Sequence, residues 1–315
     1  MIENANASKT TTTVNVDINK LIGVARLKVV AVNPNNAILK RFGWNIPDGA
    51  EEPVYTFTQE RNGKLVKGCR VRFLCQIMDF DTKPVVALDF WARENYKSNK
   101  EGTKFEIIDQ FTRTAWALKE DIENHRIPVY NTDHGSFTAN LALPYKVSHE
   151  GESELVAFLF KYLNITPFQV FDRKANAYVN AKNPGKLTID NWDAICKGDV
   201  SEIKSYLNMQ PENRVKVVLG IRTSEDNKSY QTFLNTNYFG NGSSVDSATG
   251  EYPGARKAIN KYNSSNPMVR CEFSALPVKE WTETPTKVED HSEDMPEDMS
   301  AFSNEFPNEL PFDLN

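Results

Sequence analysis

Two alternating runs in this chain put guanidinium groups and flat rings on one side of an extended backbone. In Cys69-Arg-Val-Arg-Phe-Leu-Cys-Gln-Ile77, Arg70 and Arg72 fall opposite the face shared by Cys69, Val71, Phe73, Cys75 and Ile77. In Val85-Val-Ala-Leu-Asp-Phe-Trp91, Val86, Leu88 and Phe90 point inward, and Asp89, Trp91 and the following Arg93 point outward. A third run, Arg214-Val-Lys-Val-Val-Leu-Gly-Ile-Arg222, adds Arg214, Lys216 and Arg222. Cations at strand spacing neutralise a line of phosphates, and rings among them stack on unpaired bases. The segment Arg93 to Lys104 contributes Tyr96, Lys97, Lys100 and Lys104, expected on a mobile hairpin that closes over a bound strand. Tyr230, Phe233 and Tyr238 are further stacking candidates, as are Phe42 and Trp44 behind Lys40-Arg41. The ordinary outcome stands beside this one: alternate Arg and Lys usually make a solvated face, and Trp or Phe usually join a core.

Other chemistries find less support. Asp79-Phe-Asp81 with Asp89 could hold a divalent cation for nuclease chemistry, but Asp at a strand end is also what turns favour. His125, His134, His149 and His291 form no zinc spacing, and no phosphate-cradling G-x-x-x-x-G-K-[ST] run occurs. No catalytic residue, cofactor or metal ligand is assigned, and the chain reads as a non-enzyme. Cys69, Cys75, Cys196 and Cys271 lack C-x-x-C spacing and read as reduced core thiols.

The elements that must carry these residues come as strands, then helices, then strands. Val54 to Thr58, Cys69 to Ile77, Val85 to Trp91, Lys104 to Ile108 and Ser136 to Leu143 read as strands, with Asn62-Gly63 as a turn. Glu152 to Leu163 puts Leu155, Phe158, Leu159 and Tyr162 on one helical stripe. Thr112 to Ile122, Asn191 to Lys197 and Asp199 to Leu207 are further expected helices, the last two capped by Asp190 and Asp199. Arg214 to Arg222 and Ser229 to Tyr238 are strands joined by a polar loop from Thr223 to Lys228. After a Gly/Ser-rich stretch from Asn241 to Gly250, Ala255 to Tyr262 reads as a basic helix and Val269 to Ala275 as a last strand. Short antiparallel strands around a helical insertion suggest a β-rich α+β fold, a Greek-key barrel of the oligonucleotide-binding type; periodicity alone fits another small β-barrel equally well. The expected division is a flexible arm over 1–20, a domain over 21–282 with the helical insertion at about 112–212, and a disordered tail over 283–315.

Charge is divided between body and tail. Of 37 basic and 42 acidic residues, the segment Glu283 to Asn315 holds ten acidic ones and only Lys287 among the basic, a net of −9. Residues 1–282 therefore carry 36 basic and 32 acidic groups, a net of +4. Close to its last residue the tail carries Glu309-Leu-Pro-Phe-Asp313, where Leu310, Pro311 and Phe312 make an apolar plug between Glu309 and Asp313. Such an arm can compete with a polyanion for basic groups, and its apolar tip can dock a partner. No run approaches the length of a membrane span and no apolar signal core opens the chain, so a cytoplasmic location is expected.

These features resemble the replication single-stranded-DNA-binding proteins of tailed phages. The tip Asn308-Glu-Leu-Pro-Phe312 after an acidic run is similar to the aromatic-ended tails of phage and bacterial members. So is the body pattern of Gly151-Glu-Ser-Glu-Leu155, the helix Phe158 to Leu163-Asn164, Lys216-Val-Val-Leu-Gly220 and Tyr230-Gln231. Together they span about residues 20–240 plus the tip. The resemblance implies an oligonucleotide-binding barrel without catalytic activity, serving DNA replication, recombination and repair. It implies a tail that recruits polymerase, helicase or recombinase in the host cytoplasm. The chain departs from the bacterial type in length and helical insertion and lacks the zinc-ligand cluster of some phage members, so a tetramer is not implied. The alternatives are a structural adaptor of phage assembly and, more remotely, the metal-dependent nuclease built on Asp79, Asp81 and Asp89.

Overall fold

The computed structural model describes residues 20–61, 63–124, 129–132, 135–138, 145–172, 174–175, 177–223, 229–234, 269–271 and 279–281. The expected N-terminal arm before residue 20, the loop 224–228, the stretches at 241–250 and 255–262, Tyr238 and the acidic tail lie outside them. In chain order the elements are β1 (Lys20–Val32), α1 (Asn36–Arg41), β2 (Thr56–Arg61), β3 (Lys64–Ile77), β4 (Val85–Arg93), β5 (Lys104–Asp109), β6 (Thr114–Leu118), α2 (Lys119–Glu123), β7 (Val129–Thr132) and β8 (Gly135–Thr138). Then follow β9 (Tyr145–Val147), α3 (Glu152–Tyr162), β10 (Gln169–Asp172), β11 (Ala177–Asn180), α4 (Trp192–Cys196), α5 (Ser201–Met209), β12 (Val215–Thr223), β13 (Ser229–Leu234), β14 (Val269–Cys271) and β15 (Lys279–Trp281). The fold is β-rich, and its sheets are antiparallel.

The period-two pattern of β3 dictates the centre of the main sheet. Cys69, Val71, Phe73, Cys75 and Ile77 are all 0% exposed, and the facing residues of β4, Val86, Leu88 and Phe90, are buried with them. β3 pairs along its length with β4; its other edge takes β2 over Lys64 to Cys69 and β1 over Phe73 to Ile77. β1 continues the sheet to β12, which pairs β13. The path therefore runs β4-β3-β1-β12-β13. Its two ends meet through side chains, with Phe90 and Phe233 centroids 5.4 Å apart, but among the described residues no strand hydrogen bonds join β13 to β4. The sheet curls without closing.

Helix α3 plugs the curl. Its apolar residues run nearly all round, so it suits a position enclosed on every side. Phe158 is 0% exposed and lies 5.1 Å from both Phe73 and Phe90; burying such a ring contributes about 1.5–3 kcal/mol. At the helix's far end a bulge in β1 between Val29 and Ala31 frees the Val29 N–H, which donates to the Tyr162 hydroxyl at 3.1 Å. Cys69, Cys75 and Cys196 are free and buried, as core thiols should be.

Several elements differ from expectation. β1, central to the sheet, escapes the strand pattern because apolar doublets interrupt its alternation. Leu21 and Ile22 are both 1% exposed, so that end is covered on two faces. Thr112 to Ile122 is not one helix: Thr114–Leu118 pairs with β5, and only the turn Lys119–Glu123 is helical. The insertion at 112–212 is accordingly mixed, with hairpins β7–β8 and β10–β11 among its helices. The caps shift by one residue: Asn191 accepts from Ala194 N–H at the start of α4, and α5 begins after Val200, with Asp199 accepting from Ser201 N–H at 2.9 Å. β2 starts at Thr56 rather than Val54. Among the described residues no helix is long and apolar enough to cross a membrane.

Candidate nucleic-acid interface

The face of β3 and β4 opposite the core is built in rows. Phe57, Gly68 and Arg93 lie side by side across β2, β3 and β4; Arg70 and Trp91 form the next row, and Arg72 and Asp89 the third. Tyr55 enters from the residue before β2, where its carbonyl accepts the Arg70 N–H at 2.7 Å. The shared face of Arg70, Arg72, Trp91 and Arg93 is therefore as the alternation predicts. What neighbours do to each of them differs.

Arg70 lies between two rings, its guanidinium carbon 5.6 Å from the Tyr55 centroid and 5.9 Å from that of Trp91. Among the described residues no carboxylate forms an ion pair with it. Burial, and then the neighbouring Arg72, lower its pKa from the usual arginine value. Asp89, bound to Arg72, opposes that shift from nearby, and the quadrupoles of the two rings steady the Arg70 charge. Trp91 is half-buried and meets Phe57 edge-on at 5.5 Å. Tyr55 is braced by a 2.7 Å hydrogen bond to Pro34 O, and burial pushes its hydroxyl pKa up to about 12. Gly68 leaves room for the Phe57 ring against β3: a Cβ there would sit 2.5 Å from that ring and 2.4 Å from Ala92 O.

Arg72 is committed. Its Nε and Nη2 each donate to Asp89 at 2.7 Å, a bidentate pair across the strands. Burial works against the charges on both, yet each holds the other ionised, with Arg72 raised and Asp89 lowered from their ordinary values. The same pairing takes Asp89 out of the cation-holding trio. Asp79 accepts from Arg26 Nε at 2.8 Å and from Arg26 N–H at 2.7 Å, and among the described residues no group of acidic, His or Cys side chains suits a metal ion.

Three expected binding residues are covered by their neighbours. Arg93 lies on the outward face of β4 yet is only 4% exposed, because the turn at 149–151 covers it and Trp192 Nε1 donates to its carbonyl at 2.7 Å. Lys97 is 7% exposed and lies 3.0 Å from Glu106 and 2.9 Å from Glu154. Burial opposes its charge, but those two carboxylates outweigh it and raise its pKa. Phe233 packs on Phe90 and Phe158 as part of the core. The expected flap is a built turn: Asn99 Oδ1 accepts from the N–H groups of Thr103 and Lys104, both at 2.9 Å. Lys100 and Lys104 are exposed on it, and Tyr96 is 53% exposed, resting on His149 at 4.6 Å.

The remaining candidates lie elsewhere. Arg214 donates to the Glu212 carboxylate and to two carbonyls beside it. Lys216 is half-exposed opposite Arg26, beside Lys28, which pairs Glu212 at 3.0 Å. Arg222 is half-exposed and its backbone is in register with Tyr230, whose side chain is outside the described set. Phe42 and Trp44 are half-buried around the end of α1, with the Arg41 guanidinium 5.8 Å from the Phe42 ring. Tyr238 and the docking residues Glu309 to Asp313 lie outside the described residues.

Sequence reasoning did not single out Tyr55 and Phe57, which line this face. The signal was present: Tyr55 and Phe57 alternate at the start of a polar strand that ends in a Gly turn. The chain matches no family model, no curated protein and no solved structure.

Proposed function

We propose that the chain binds single-stranded DNA without catalysis, through the outer face of β3 and β4 and the segment that delivers Tyr55 and Phe57. One observation carries the reading: Arg70 held between the Tyr55 and Trp91 rings with no paired carboxylate among the described residues. A guanidinium in that state can take a phosphate without first breaking an ion pair, and the rings beside it can receive bases at about 1–3 kcal/mol each. Duplex DNA hides the base faces such rings need.

The strand path supports the same reading. β1, β3 and β4 follow one another in sequence, β12 returns to β1 and β13 lies beside β4; we read this path as that of an oligonucleotide-binding barrel opened between its third and fifth strands. In that architecture the faces of the second and third strands and the loop after the first carry the nucleic acid. Here those are β3, β4 and residues 33–63, where the arginine–ring rows lie. The acidic segment 283–315 is assigned two roles: competitor for this face, and partner-docking arm through Leu310, Pro311 and Phe312. Service to phage-type replication, recombination and repair follows from the resemblance of that tip.

A fluorescence titration with oligo-dT and with duplex of equal length, across a salt series, tests the proposal. Much tighter binding of the single strand, weakening steeply with salt, is the expected result; equal binding to both, or none, overturns it and leaves the adaptor reading. Deleting residues 283–315 should tighten single-strand binding at low salt, with the gain fading once charges are screened beyond ~8 Å.

A further inference from the structure

The turn at 149–151 is pinned to the edge of β4. Arg93 N–H donates to Glu150 O at 3.1 Å and Glu150 N–H to Asn95 O at 3.0 Å. Gly151, at φ 86°, presses so close that a Cβ would fall 1.9 Å from Trp91 O. The Glu150 backbone therefore has one place to be, and its carboxylate is aimed at two guanidiniums. Its Oε2 accepts a hydrogen bond from Arg61 Nη1 and lies 3.5 Å from Arg93 Nη1. Arg93 is 4% exposed, and its Nε is buried with no hydrogen-bond partner. Phe57 lies 5.8 Å from the Arg93 guanidinium and 5.5 Å from Trp91, so this pair of arginines abuts the ring-lined face. The side chains of Arg61 and Glu150 keep 19% and 21% exposure, so the cluster opens to solvent where the carboxylate sits.

We propose that Arg61 and Arg93 form a phosphate subsite at the end of the Tyr55–Arg70–Trp91 face, and that Glu150 fills it as an internal anion until a phosphate displaces it. One Glu150 oxygen serves both arginines and leaves the Arg93 Nε unsatisfied. A phosphodiester presents two charged oxygens, so each guanidinium, the Arg93 Nε included, can have an acceptor of its own, which is the geometry guanidinium recognition favours. Displacing Glu150 moves a singly charged group into water and brings an anion in its place, so the exchange is nearly neutral in charge. Affinity at this point is set by competition, and Glu150 is a brake on it. The choice of a nucleic-acid phosphate as ligand rests on the function proposed above; the subsite does not.

Two measurements on the full chain decide it. Glu150→Gln, titrated with oligo-dT at low salt, should bind about tenfold tighter, with the log–log salt slope steeper by about 0.7, because one arginine charge is no longer neutralised by a carboxylate before the phosphate arrives. Adding Arg61→Gln should erase the gain. In the second measurement, inorganic pyrophosphate is titrated into the wild type while the side-chain Nε–Hε resonances of arginine are followed. Those of Arg61 and Arg93 should move while that of Arg113, held by Asp109, stays. Static Arg61 and Arg93 signals overturn the subsite, whether or not Glu150→Gln folds. A pyrophosphate response without oligo-dT binding removes the single-strand reading and keeps the subsite. Oligo-dT binding that Glu150→Gln leaves unchanged in affinity and slope removes the subsite and keeps the reading.

Discussion

Arg70 and Lys97 are both cations beside an aromatic residue, within one stretch of chain, and their surroundings treat them in opposite ways. Arg70 lies on a half-open sheet face with the Tyr55 and Trp91 rings beside it. Lys97 points into the body between Glu106 and Glu154, with Ser153 Oγ at 3.4 Å. Ring contacts stabilise a cation while leaving its hydrogen-bonding capacity to an incoming anion. Buried carboxylates consume that capacity, and the pair becomes part of the scaffold because separating it would strand a charge in a poorly solvating interior. The difference teaches that a basic residue is available for binding according to what faces it, and that exposure to solvent matters less than freedom from a carboxylate.

The largest effect should come from the scaffold side. Lys97→Ala leaves Glu106, 5% exposed, without its cation, and should cost about 3–5 kcal/mol in a urea unfolding curve. Oligo-dT affinity of the fraction that stays folded should be close to wild type. A stable variant that loses binding would break the contrast, because Lys97 would then be acting as a ligand group.

Acid should separate the two regions next. Glu152 is 0% exposed at the start of α3; burial alone would raise its pKa, but hydrogen bonds from His149 and Lys146 outweigh that and hold it below the ordinary value of 4.5. A carboxyl with a depressed folded-state pKa contributes stability that is present above the unfolded pKa and lost as pH falls through the folded one. Stability should therefore drop below pH 4.5, and Glu152→Gln should flatten that part of the profile while costing about 1.5–3 kcal/mol at neutral pH. Urea midpoints measured from neutral to acid pH check it. An unaltered acid limb in Glu152→Gln would assign the loss to other carboxylates.

The smallest effect in stability is expected on the ring-lined face, where binding should suffer instead. Trp91→Ala removes one ring from a half-buried position and should weaken oligo-dT binding by about 1–3 kcal/mol with circular dichroism unchanged. Loss of the dichroic spectrum would mean that Trp91 holds the sheet together and that the face is structural.

Much of the frame was legible because strands with one dry face record it every second residue. Cys69 to Ile77 and Val85 to Trp91 place their inward side chains where the alternation puts them, and the helical stripe of Leu155, Phe158, Leu159 and Tyr162 lies in the core as expected. β1 was not legible, since Leu21-Ile22 and Val29-Val30 break the period at a doubly covered end and at a bulge. The β6 strand was hidden by a helix-like stretch whose fate depended on pairing with β5, a partner the local pattern does not mention.

By itself, then, the sequence determined which side of β3 and β4 each residue faces, the reduced state of the buried thiols Cys69, Cys75 and Cys196, and the separation of a basic body from an acidic tail. These are local properties, set by backbone period and composition. Only the tertiary structure decided which outward cations remain available. Arg72 met Asp89 across a strand pair, Arg93 was covered by a turn some sixty residues later in the chain, and Lys97 met Glu154 on α3. Arg70 met two rings, one of them from a segment that no motif had marked. A charge acts over a few ångströms, and the neighbours within that distance are chosen by the fold rather than by adjacency in the chain.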